Sequence, residues 1–137
     1  GEPVPGVGPE PTSHYNELKS SKTIILSNID EYDVFGDGTV VIKAAPGHTP
    51  GHQVMLISSQ GEKAMIVGDV LHSVAQVQEP DWCAAVDIDK PDSRRSRAEL
   101  LERAENEGYI VAAGHFHPDR HIGRIVRLAG KRYWQVQ

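Results

Sequence analysis

An intrachain disulfide is closed to this sequence, because its 137 residues hold one cysteine, Cys83. A small secreted scaffold stapled by disulfides is therefore excluded, a buried apolar core has to hold the fold, and a cytoplasmic location is the expectation. No apolar stretch approaches the roughly 18 residues that would read as a membrane-spanning helix, and the opening GEPVPGVGPEPT is not a basic-then-apolar signal segment. A membrane is not an expected partner. Basic charge is also in deficit: 14 Lys and Arg stand against 19 Asp and Glu, for a net charge of −5. No basic surface is available to follow a phosphate backbone, so nucleic acid is not an expected partner either. Aromatic residues make up 6% of the chain. What remains is a soluble globular chain of one domain.

The pattern along the chain divides it in two. Residues 1–22 are rich in Pro and Gly with few apolar anchors, and read as an arm or linker. Residues 23–137 read as the folded part. A short β-prone run at Thr23–Leu26 is followed by a turn at Phe35–Gly38 and a mostly buried strand over 39–45. Two further strands, 53–58 and 63–67, should pair as a hairpin about Ser59–Glu62. Leu71–Asp89 has no period and reads as a long loop of the kind that often carries function. A helix is expected from Pro91 to Glu107, capped by Asp92 or Ser93, with Leu100, Leu101 and Ala104 facing inward and Gly108 ending it. A strand over 109–113 and a hairpin formed by 124–128 and 132–136 complete the chain. Arg94, Arg95 and Arg97 read as a solvated charged face of the helix.

The chemistry is concentrated in histidines. His48 and His52 share one segment; His115, His117 and His121 share another. Three predicted strands run into a glycine and then a potential ligand: Gly47-His48, Gly68-Asp69 and Gly114-His115. A glycine at a strand end lets backbones crowd together, so the next side chain can enter a shared crevice at the sheet edge. Two imidazoles and a carboxylate would meet there. That donor set suits zinc, with manganese, cobalt or iron as alternatives, and Asp69 has two oxygens with which to bridge two ions. An ion with an open position lowers the pKa of water toward about 7 and yields a hydroxide nucleophile. No Ser-His-Asp or Cys-His arrangement competes for that role.

PGHTPGH at Pro46–His52, GDVLH at Gly68–His72 and AAGHFHP at Ala112–Pro118 resemble the second half of metallo-β-lactamase-superfamily hydrolases. FGDGTVVIKAAPGHTPGHQ is similar to the branch of acyl-homoserine-lactonase-like and methyl-parathion-hydrolase-like enzymes, and the resemblance runs from Asp30 to Val136. It implies that His48 binds one metal, that Asp69 bridges both and is the catalytic residue, and that His115 binds the other. His52, His72, Thr49 and His117 are implied to support the site or line its pocket, with His52 turned away from the ion. The implied fold is α/β: half of an αββα sandwich, one mostly antiparallel sheet with a helix on its outer face. The implied substrate is a small ester-like molecule, a lactone or an organophosphate ester.

The family's first motif, HxHxDH, is not found in these 137 residues, and His14 does not fit it. The binuclear site is thus incomplete in one copy, and weak or no activity is expected of the isolated chain. The inner sheet face needs a cover, from a second copy in a homo-oligomer, an N-terminal half or the Pro-rich arm. The alternative function is a truncated, non-catalytic module that dimerises through that face and holds a vestigial metal or none. A redox relative of the same fold, with iron and oxygen chemistry, is a third reading.

Overall fold

A computed structural model describes Ile24, Leu26 and residues 29–137. The expected arm over 1–22 lies outside the described residues. So do Thr23 and Ile25 of the first expected strand, while Ile24 and Leu26 belong to no strand.

Seven strands form a single sheet in sequence order: β1 (Glu31–Asp33), β2 (Val40–Ala44), β3 (Gln53–Ser59), β4 (Glu62–Ile66), β5 (Ile110–Ala112), β6 (Ile122–Leu128) and β7 (Lys131–Val136). Every neighbouring pair is antiparallel except β4 and β5, which are parallel. The turns follow from local chemistry. The Asp33 carboxylate accepts from the backbone N–H groups of Phe35, Gly36 and Gly38, which holds the β1–β2 turn. Gln60 and Gly61 between β3 and β4, and Ala129 and Gly130 between β6 and β7, all have positive φ. Positive φ at both central residues is the tight hairpin geometry whose twist matches the strands.

The chain from β4 to β5 contains a 3-10 turn at Gly68–Val70, a short helix α1 (Ala75–Gln78) and the long helix α2 (Lys90–Glu107). The region expected to be loop throughout therefore carries one helical turn, which places buried Gln76 and Val77 inward. The cap of α2 is Asp89, not Asp92 or Ser93: its carboxylate accepts from the Asp92 N–H at 2.9 Å. Ser93 is instead turned inward. Gly108 ends the helix in the left-handed conformation, its N–H bonded to the Ala104 carbonyl.

Leu100, Leu101 and Ala104 of α2 pack on Val54, Leu56, Met65, Val111 and Ile125 of the sheet to form the core. The opposite sheet face is apolar as well. One cross-strand row on it reads Tyr32, Ile42, Met55, Ile66, Ala112, Ile122. Ile66 and Ile122 are exposed there. The α/β class, the mostly antiparallel sheet and the helix on one face agree with the sequence reading. Among the described residues no helix is long and apolar enough to cross a membrane.

Candidate metal centre

Topology brings three ligand-bearing segments to one edge of the sheet. β4 and β5 run parallel, so the Asp69 turn and the His115 turn leave the sheet on the same side. The loop from β2 to β3 carries His48 and His52 to that edge and is closed by Ala45 N–H to His52 O (2.9 Å) and His52 N–H to Thr49 O (3.2 Å). Two glycines make the close approach possible. Gly47 has φ +134°, and a Cβ there would lie 2.1 Å from the backbone nitrogen of Ser93 in α2. Gly68 has φ +51°, and a Cβ there would lie 2.9 Å from His52 Nε2. Gly114 has nothing within 4 Å, so the third glycine of the pattern is not sterically required.

His48 and His115 approach different oxygens of Asp69. His48 Nε2 is 3.6 Å from Oδ2, while His115 Nε2 makes a hydrogen bond to Oδ1. His72 completes the group: its ring stacks on His115, with centroids 4.6 Å apart, and is tilted against His48 at 5.1 Å. His48, Asp69 and His72 each offer a ligand atom within 4.8 Å of the others'. Burial raises the pKa of Asp69, but the His115 hydrogen bond and the nearby imidazoles more than offset it and leave the carboxyl below its ordinary range. Burial, then the charge of His115, lowers the basicity of His72. Both groups are held in the forms that bind a cation, a carboxylate and a neutral imidazole.

His52 lies outside the group of possible ligands. Its Nε2 accepts from the Asp69 N–H at 3.0 Å, so its proton sits on Nδ1, which is buried without a partner. This histidine fixes the turn that presents Asp69. Thr49 is exposed and serves through its carbonyl, which closes the His48 loop. His117 is exposed and tied to Asp119 rather than to the cluster, and His121 bonds the Pro118 carbonyl.

Two further residues, Asp87 and Arg97, support the site. Asp87, with a fully buried side chain, accepts from His48 Nδ1 at 3.1 Å, from Ser93 Oγ at 2.9 Å and from the Ala84 N–H at 3.1 Å. Burial pushes its carboxyl up, and the His48 and Ser93 hydrogen bonds bring it below the usual range. A carboxylate on Nδ1 fixes the tautomer of His48 and leaves Nε2 with its lone pair facing Asp69. Arg97 is fully buried, which corrects its placement on a solvated face. Its guanidinium donates to the carbonyls of Val70 (2.9 Å), Pro80 (2.7 Å) and Trp82 (2.8 Å) and to Ser93 Oγ (2.9 Å), and lies 3.5 Å from Asp87 Oδ2. One side chain thus ties the Asp69 turn to the carboxylate that orients His48. Arg94 and Arg95 are exposed, as expected.

Imidazoles and a carboxylate gathered at one sheet edge are a donor set that could hold a metal ion. The model of the metallo-beta-lactamase superfamily matches residues 5–115, and the chain belongs to that superfamily. It is 33% identical over 90 residues to the N-acyl homoserine lactonase AttM of Rhizobium radiobacter, a match that covers 63% of this chain and 33% of that one. Among solved structures it is similar to AidC, a dizinc quorum-quenching lactonase in complex with a product: 30% identity, TM-score 0.67, 77% of this chain and 37% of that one. It is also similar to the hydrolase AbOPH of the beta lactamase superfamily, at 27% identity and TM-score 0.66, with 73% of this chain and 35% of that one covered. The chain spans about a third of the length of these relatives.

Proposed function

We propose that the chain carries one share of the catalytic centre of a metal-dependent hydrolase that opens an ester-like bond, in a lactone or an organophosphate ester. The observation that carries this reading is the Asp69 carboxylate, met on one oxygen by His48 and on the other by His115. The donor set fits zinc, and His48, Asp69 and His115 are the residues that would hold it. When bound, the metal supplies Lewis acidity toward the carbonyl or phosphoryl oxygen and makes water acidic enough to attack. The chain's own residues prepare the site. Asp87 keeps the His48 proton on Nδ1, His52 holds the backbone of Asp69, and Arg97 sets the distance between their segments. The lactonase and organophosphate-ester substrates come to this chain from its relatives. The test is hydrolysis of N-acyl homoserine lactones and aryl phosphate esters with added zinc, manganese or cobalt. We expect slow turnover that is lost in Asp69→Ala, slow because HxHxDH is not among these residues. Hydrolysis no faster than buffer, together with no uptake of zinc or cobalt, overturns the reading.

The exposed apolar row through Ile66 and Ile122 favours a second reading, a module that self-associates through this face. Light scattering at micromolar concentration tests it, and a mass of about 15 kDa for the chain, with no dye binding to apolar surface, refutes it.

A further inference from the structure

We propose that His72 is itself a metal ligand, and that with His48 and Asp69 it forms a one-ion site built from this chain alone; the inference rests on the metal-dependent reading above. Among the described residues, these three form the group whose ligand atoms all lie within 4.8 Å of one another, and each is partly buried. Ligands of a four-coordinate zinc, at bond lengths near about 2.1 Å, are about 3.4 Å apart. A small rotation of two imidazoles closes the set.

The position of His72 is built rather than incidental. Its N–H donates to the side-chain oxygen of buried Gln76 at 2.7 Å, and Gln76 is held in turn by its amide bond to the Trp82 carbonyl at 2.9 Å. The ring is clasped between His115 and His48. Yet its Nδ1 is buried and has no hydrogen-bond partner. A ring nitrogen enclosed in this way gains no hydrogen bond to offset its desolvation. A cation at the centre of the group supplies the missing partner. His115 differs: its Nε2 already bonds Asp69 Oδ1, and its side chain is 48% exposed. In the one-ion site it holds the carboxylate's second oxygen, and it stays available as a ligand to a second ion. Three protein ligands with a fourth position open is the arrangement that catalytic zinc sites use.

Calorimetric titration of the whole chain with zinc, and the visible absorption of its cobalt form, test the assignment. We expect one ion per chain and the strong absorption of a four-coordinate cobalt. His72→Phe should weaken binding at least about 100-fold and alter the spectrum, whereas His117→Ala should match the unsubstituted chain. Scalar coupling between bound cadmium and a ring nitrogen of His72 gives a readout that needs no substitution. If His48→Ala and Asp69→Ala lose the ion while His72→Phe retains affinity and spectrum, or if the cadmium coupling is missing, the role of His72 is overturned and the proposed function stands. If the unsubstituted chain takes up no ion, both fall.

Discussion

The two faces of the sheet are built from the same residue types and meet different surroundings. Met65 is 1% exposed under α2, while its neighbour Ile66 is 46% exposed on the other side. On the helix side, burial is close enough to enclose even Arg97 and Lys43, the latter paired with Asp30 and Glu99. On the opposite side the row from Tyr32 to Ile122 has no layer above it among the described residues. A strand buried on one face alternates apolar and polar residues; one apolar on both is made for the middle of a sandwich. The contrast is that of a layer apolar on both faces and covered, among the described residues, on one.

The largest effect should come from the covered side. Arg97→Met would leave the buried Asp87 carboxylate and three carbonyls without their donor, and should cost about 3–5 kcal/mol in denaturant unfolding. Next, the two faces can be set against each other directly: Met65→Ala should cost about 2–4 kcal/mol, and Ile66→Ala well under about 1 kcal/mol. Equal costs would show that the open face is covered in solution and would erase the contrast. At the far edge of the covered side, Arg127 and Arg132 hold Glu105 well below its ordinary 4.5, to about 2. A depressed carboxylate contributes stability that is present above about pH 4.5 and lost as pH falls toward 2. Glu105→Gln should therefore cost about 1–2 kcal/mol at pH 7, discounted for the partly exposed guanidiniums, and flatten the acid limb of the unfolding curve. The smallest effect on the monomer is expected from Ile66→Lys, within about 0.5 kcal/mol. Its signal should appear in light scattering, as a shift toward the monomer.

Much of this was legible in the sequence. The strands and hairpins announced themselves through apolar runs broken by Gly-containing turns, and His48, Asp69 and His115 through the glycine before each. The short strand β1 was not legible, because Glu-Tyr-Asp has neither length nor apolar character. Asp87 was hidden because Val86-Asp87-Ile88 inverts the usual pattern, exposing both apolar residues and burying the acid between them. Arg97 was misread through its charge. Its spacing from Ser93, Leu100, Leu101 and Ala104 places it on the inward stripe of α2, so periodicity held the signal and residue type overrode it. His72 is marked as a pocket residue by GDVLH, whereas its closeness to the ligand atoms depends also on the Gln76 brace inside an aperiodic segment.

The lone parallel pairing in the sheet also bears on when the centre comes into being. Hairpins such as β3–β4 and β6–β7 close over short loops and can form early, whereas β4 meets β5 only after the whole chain between them, Arg97 included, has folded back. Asp69 and His115 lie on opposite sides of that closure. The edge that carries the proposed metal ligands is thus expected to form late, and in refolding experiments cobalt absorption should rise after the strand signal has recovered.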